Sequence, residues 1–212
     1  VPGIKSKQLM NFSGYSDELI WNYLYCCNTD IFKPKFEKNK SKYFIFVGRL
    51  EKEKNIIGLV KGFKEFYKDN NDYRLVVIGN GSQRSFLSNV DGIDFLGWKS
   101  SSQIIKYLVN SNGFILPSIY EPWGVVVHEA ASCGIPLLLS KNIGSKYEFL
   151  VNNYNGKLFD PFDPFDLANA MRYVKENNID NVMGNRSYEI SKHLNIDSWT
   201  TNLLMNAKDS KK

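Results

Sequence analysis

Histidine is scarce in this chain: His128 and His193 are the only two among 212 residues. Cysteine is hardly commoner, with Cys26, Cys27 and Cys133, and these form neither a Cys-x-x-Cys pair nor a Cys/His ligand set. A structural zinc site is therefore disfavoured, and the three thiols read as free and buried, in a reducing compartment. No Asp-x-Asp sequence occurs, which argues against a metal-assisted leaving group. Neither a Gly-x-Ser-x-Gly elbow nor a P-loop is present. Gly79 and Gly81 begin a Gly-x-Gly, but Arg84 stands where a dinucleotide fingerprint needs its third glycine, so NAD is disfavoured as a ligand. No apolar run approaches the ~18–20 residues of a membrane span, and no signal-peptide pattern is visible. The first residue is Val1, not Met, which reads as a fragment or a processed product.

Negative charge is in the minority: the net charge is +5, carried by scattered lysines. There is no basic stripe interleaved with aromatics, so no nucleic-acid partner is expected. A Lys-rich solvated surface and a weak pull toward anionic substrates or membrane surfaces both remain open. The 43% apolar and 23% charged content is ordinary for a soluble globular chain. At this length roughly 70% of the unfolded chain's surface can be buried, enough for a sizeable core.

What is present is a regular alternation. Residues 1–40 read as irregular, with turn formers at Pro2-Gly3, Ser13-Gly14 and Lys33-Pro34. Continuous apolar runs at 42–48, 74–79, 93–97, 113–117, 136–140 and 156–159 then read as six buried parallel strands, three of them ending in Gly. Between them, 55–69 carries Ile56, Leu59, Val60, Phe63 and Phe66 at helical spacing, and 82–90, 101–111, 124–133 and 144–151 read as further helices. Gly134 is placed for a left-handed C-cap, and Asp163-Pro164 for the start of a helix reaching about Val174. Two more helices are expected near 181–193 and 196–208. The fold class is α/β: a Rossmann-like parallel sheet of about six strands with helices on both faces, and ligands outside the strands' carboxyl ends.

The unusual residues collect at those ends. Arg49 and Lys54 follow the first strand, a planar fork and a point charge suited to a diphosphate, or else two surface cations among acids. The stretch "YEPWGVVVHEAASCGIPLLLS" places Glu121 and Glu129 around Trp123, Gly124 and Val125. A helix starting near Gly124 would offer free N–H groups to an anion. Carboxylates serve better for vicinal hydroxyls: one acid for a sugar and one for a ribose. The alternatives are a helix-start carboxylate for Glu121 and a buried acid paired with Lys or Arg for Glu129. His128 reads as a helix-surface residue in preference to a cleft residue, and His193 as a residue near a helix's carboxyl end.

The segments "FVGRLEKEKNI", "VVIGNGSQ", "IDFLGW", "LPSIYEPWGVVVHEAASCGIPLLLS", "NIGSKYEFL" and "NNYNGKLFDPFD" resemble, in order over about residues 30–175, the C-terminal half of the retaining glycosyltransferases of family 4. The resemblance implies a GT-B fold, two Rossmann-like domains around the active site. It implies that Arg49, Lys54 and Glu121 are catalytic, the first two on the donor diphosphate and Glu121 on the donor sugar. It implies donor binding by Trp98 or the loop it begins, by the backbone of Trp123, Gly124 and Val125, and by Glu129 on the ribose; Trp98 as a packing residue stays open. No metal and no cofactor is implied, only a nucleoside-diphosphate sugar as substrate. Residues 1–40 would then be a remnant of the N-terminal domain with its linker, 41–178 the nucleotide-sugar domain, and 179–212 helices that pack on the absent half. Apolar side chains in 15–27 and in those helices should be left exposed. The implied partners are a glycan or lipid-linked glycan acceptor and the missing N-terminal domain, with peripheral membrane contact. The implied location is the cytoplasm, at the inner membrane face. A GT-B epimerase would turn over the donor without an acceptor, a phosphorylase would bind no nucleotide, and a non-catalytic module would bind nucleotide without transfer.

Overall fold

The run Tyr-Phe-Ile-Phe-Val forms strand β1, Tyr43–Val47, because a strand covered on both faces can be apolar at every position; four of its five residues are buried. The computed structural model describes residues 3–21, 24–35 and 41–209. In it β1 is followed by β2 (Arg74–Ile78), β3 (Ile93–Gly97), β4 (Gly113–Leu116), β5 (Leu137–Ser140) and β6 (Gly156–Phe159). They form one sheet of parallel pairs in the order β3-β2-β1-β4-β5-β6. All six expected strands are therefore present. β3 has no fully buried residue, as befits an edge strand.

Helices cover the sheet. Helix α1 is Gly3–Phe12, α2 Ile56–Tyr67, α3 Ser101–Leu108, α4 Val125–Ser132 and α5 Lys146–Phe149. Then come α6 (Pro164–Asn177), α7 (Val182–Ser191) and α8 (Ile196–Asp209). The α2 stripe Ile56, Leu59, Val60, Phe63 and Phe66 is buried as its spacing requires. α2 packs on α6, and α4 on α7. The α2–α6 crossing is close at Gly62, where a Cβ would lie 2.6 Å from Leu167 Cδ2. The 82–90 segment is only a short 3-10 turn, Arg84–Leu87.

The expectation that 1–40 is irregular fails at α1. Its residues "GIKSKQLMNF" hold no helix breaker after Gly3, whereas the flanking Pro2-Gly3 and Ser13-Gly14 pairs that suggested turns sit at its two ends. The following segment is not a loose tether. The Trp123 indole donates to the Tyr25 carbonyl at 3.0 Å, the Cys27 amide donates to His128 Nδ1 at 3.1 Å, and Phe32 is buried. Leu19, Trp21, Leu204 and Met205 are exposed, in line with apolar surface left open in 15–27 and in the last helix. Cys26, Cys27 and Cys133 are not joined in disulfides, the latter two are buried, and burial pushes the Cys27 thiol up to about 12.

Candidate functional site

The strand order reverses between β1 and β4, and the crevice outside their carboxyl ends is where such sheets hold ligands. Two loops meet there. The first leaves β1 through Gly48 and Arg49 into a 3-10 turn, Lys52–Lys54, that ends at Asn55 in the left-handed region (φ 56). Asn55 Oδ1 accepts from the Gly58 amide at 3.2 Å, and Asn55 Nδ2 donates to the Pro161 carbonyl at 2.7 Å. Lys54 thus rests on a turn fixed from both sides.

The second loop, 117–124, leaves β4 and is held by the last residue of β5 and the segment after it. Ser140 Oγ donates to the Ser118 carbonyl at 2.6 Å, and Asn142 Nδ2 to the Ile119 carbonyl at 2.9 Å. The amides of Gly144 and Ser145 donate to the carbonyls of Glu121 and Trp123 at 2.9 and 3.1 Å. A side chain at 144 is impossible without movement, since its Cβ would lie 1.8 Å from the Pro122 carbonyl oxygen. The two loops are joined across the reversal: the Ile119 amide donates to the Glu53 carbonyl at 2.8 Å, and Lys54 forms an ion pair with Glu121.

The structure thus brings Lys54 and Glu121 together. Glu121 is not a bare helix-start carboxylate, because Lys54 holds it. Gly124 follows at φ 87 as the N-cap of α4, three residues from Glu121 and packed against its side chain. The Val127 amide bonds back to the Gly124 carbonyl, while the amides of Gly124, Val125 and Val126 have no backbone acceptor among the described residues. Trp123 itself is buried, T-shaped against Phe149. Its indole is a core element, so only its backbone remains for a ligand.

Arg49 lies on the other side of the first loop, 73% exposed and bonded to Glu53 at 2.9 Å. With Gly48, Asn80, Trp98 and Lys99 it lines a cleft of about 280 Å³ over the ends of β1, β2 and β3. Trp98 is 73% exposed, which removes the packing reading. Gly79 and Gly81 are structural there: a Cβ on Gly79 would lie 1.8 Å from the Gly48 carbonyl oxygen. The residues missed from sequence are Glu53, which binds Arg49 and Ile119 at once, and Gly144. The E-K-E-K run gave no sign of which acid would matter.

Glu129 sits in the second turn of α4, outside that cleft. Its carboxylate has no hydrogen-bond partner among the described residues, and burial pushes it up to about 7. The paired-acid alternative is thereby set aside. His128 is a correction: it is fully buried, stacked on Phe149 at 4.6 Å between ring centres, because residues 24–35 cover that side of α4. Burial lowers its pKa to about 4, and its Nε2 makes no hydrogen bond of normal geometry. His193 lies just past the end of α7 with Nδ1 2.5 Å from the Ile190 carbonyl, as expected. Among the described residues, no three His, Cys, Asp or Glu side chains cluster as a metal site would require, and no helix is long and apolar enough to cross a membrane.

The family model described as glycosyl transferases group 1 matches residues 28–190. The chain belongs to that family. A glycogen synthase of Mycobacterium tuberculosis is 31% identical over 137 residues, covering 61% of this chain and 33% of that protein. An uncharacterized glycosyltransferase of Methanocaldococcus jannaschii is 28% identical over 138 residues, covering 62% of this chain and 35% of that protein. The chain spans about a third of the length of these curated relatives. Among solved structures, Anabaena HepE in complex with UDP superposes with a TM-score of 0.84 at 16% identity, covering 98% of this chain and 63% of that one. The C-terminal domain of a Francisella tularensis glycosyl transferase group 1 protein, LpcC, superposes at 0.69 and 20% identity, covering 80% of this chain and 99% of that domain. The fold of this group 1 chain is that of the C-terminal half of a GT-B glycosyltransferase.

Proposed function

We propose that the chain is the donor-binding half of a retaining, metal-independent glycosyltransferase that moves a sugar from a nucleoside diphosphate to a glycan or lipid-linked glycan. The observation that carries this reading is the Lys54–Glu121 pair at the strand reversal, beside the unbonded amides at the head of α4. Departure of the leaving group gathers negative charge on the diphosphate and positive charge on the sugar carbon. Lys54, Arg49 and the α4 amides are cationic or donor groups fixed in place for the first. Glu121 is the carboxylate that faces the sugar. Nucleoside contacts fall to the cleft at Trp98 and to Glu129, whose carboxylate lacks a partner and can accept from ribose hydroxyls. Retention and metal independence rest on the family 4 resemblance, as does an N-terminal domain that would hold the acceptor. A cytoplasmic site at the inner membrane face would suit a lipid-linked acceptor.

A UDP-sugar is the first donor to try, since the HepE structure holds UDP. The test is incubation of the chain with a panel of UDP- and GDP-sugars while free diphosphate is measured. Slow release from one donor, abolished in Glu121→Gln, is expected. No donor bound or consumed would refute the reading.

A further inference from the structure

Helix α3 covers its side of the sheet only in part: it has eight residues, and no residue of β3 is fully buried. Tyr43, Val76 and Asp94 share that face. Ile45 lies opposite Val76, Val76 lies opposite Asp94, and Tyr43 precedes Ile45 by two residues. The Tyr43 hydroxyl reaches α3, donating to the Tyr107 carbonyl at 2.6 Å. Between this floor and α3 opens a cleft of about 560 Å³.

Its charges do not balance. Lys99 and Lys106 line it, and neither forms an ion pair among the described residues. Lys99 Nζ donates only to the Leu96 carbonyl, at 2.6 Å, and the Lys106 ammonium makes no hydrogen bond there at all. The one acid in the described lining, Asp94, is already taken: Arg74 Nε donates to one oxygen at 2.9 Å and Nη2 to the other. Neutral donors stand beside the two cations. Gln103 Oε1 accepts from the Ser100 amide at 3.0 Å, which fixes that side chain, while its Nε2 and the Tyr107 hydroxyl make no hydrogen bond among the described residues.

Two ammonium groups without acids suit a dianion, and a phosphomonoester carries that charge near pH 7. The cavity has room for an organic body beyond a bare phosphate. The amide and hydroxyl around it are partners for hydroxyl groups; a purely apolar body would leave both unpaired. Lys99 also lines the cleft at Trp98 assigned above to the nucleoside, whereas Lys106 does not. One ammonium therefore serves two clefts, and a ligand that takes it from one lowers affinity in the other.

We propose that this cleft is a regulatory site for a sugar phosphate, its phosphate held by Lys99 and Lys106 and its hydroxyls by Gln103 and Tyr107, and that its occupation weakens nucleotide binding through Lys99. The site itself stands independently of the donor reading; the coupling rests on it.

Calorimetry tests both parts. The chain is titrated with glucose 1-phosphate and glucose 6-phosphate, with glucose and inorganic phosphate as controls, and then with UDP in the absence and presence of the sugar phosphate. At least one sugar phosphate should bind, about tenfold or more tighter than either control. Lys106→Ala, a change on the exposed side of α3, should weaken it about tenfold or more and leave UDP affinity unchanged. Saturating sugar phosphate should weaken UDP several-fold, and Lys99→Ala should abolish that effect. No sugar phosphate bound, inorganic phosphate bound equally well, or binding that survives Lys106→Ala but is lost in Arg49→Ala overturns the site, the last by placing the ligand in the donor crevice. UDP affinity indifferent to bound sugar phosphate overturns the coupling. Absence of UDP binding alone overturns the donor reading and the coupling, and leaves the site to be judged by Lys106→Ala.

Discussion

Lys54 and Glu121 stand 67 positions apart in the chain, yet their side chains form an ion pair only 13% and 12% exposed. It is the one side-chain ion pair among those described that links the loop after β1 to the loop after β4. Removing one member of so buried a pair strands the other charge. Lys54→Ala should therefore lower stability by on the order of 3 kcal/mol. The double variant Lys54→Met/Glu121→Gln should recover most of that. Arg49→Ala breaks a pair that is mostly in water and should cost less than about 1 kcal/mol. Urea unfolding of the four proteins checks the order.

Ligand binding should remove that contrast. Arg49→Ala and Lys54→Ala are each expected to weaken a nucleoside diphosphate by about 1.5–3 kcal/mol, the scale of a charge-assisted contact. The matching nucleoside should be weakened far less. Competition titrations with both ligands decide; equal effects would mean that the two residues act through folding.

Glu129 gives the site a pH dependence. Its carboxyl titrates near 7 in the folded chain against an ordinary value of 4.5. Between those values the folded chain holds more protons than the unfolded one, so this group makes stability fall as pH rises, by about 3 kcal/mol across the window. Ribose hydroxyls donate best to the ionised form. Nucleotide affinity should therefore drop as pH falls below about 7, and Glu129→Gln should flatten the profile. Titrations across this range check both signs.

His128 pulls the other way. Its folded pKa of about 4 lies below its ordinary 6.5, so the unfolded chain holds more protons in that window and stability rises with pH. The two neighbours nearly cancel between pH 4.5 and 6.5. His128→Gln should unmask a steady decline with rising pH, and Glu129→Gln a steady increase. Thermal unfolding of both variants over that range is the check.

The sheet was legible in the sequence because each strand is a short, unbroken apolar run closed by a turn residue, and the α2 stripe repeats at helical spacing. The candidate site was legible where chemistry sits at strand ends: Arg49, Lys54, Glu121 and the Gly124 helix start all occupy the crevice edge. What could not be read depends on contacts distant in the chain. His128 is buried between Phe149, the Cys27 segment and the end of α7, a covering that no local pattern announces. Glu53 was one acid among several until the Ile119 amide picked out its carbonyl. α1 was hidden because the turn formers at its ends are stronger signals than its own ten residues. The pairing of Lys54 with Glu121 is tertiary in the same way: their sites were visible, their contact was not.

The groups proposed to bind the donor all lie within residues 49–129, so nucleotide-sugar binding should survive in this chain while transfer stays very slow. Transfer also needs an acceptor held in place, which can supply roughly 7–11 kcal/mol of the barrier. Measuring transfer beside a two-domain enzyme tests this; comparable rates would refute it.

Calorimetric titration of the chain with UDP, GDP and ADP, and with the corresponding nucleosides, tests the central claim most directly. One diphosphate should bind, with its nucleoside markedly weaker, because Lys54, Arg49 and the α4 amides act on the phosphates. Failure of every diphosphate to bind, or equal binding of diphosphate and nucleoside, would contradict the assignment of this crevice to a nucleotide-sugar donor.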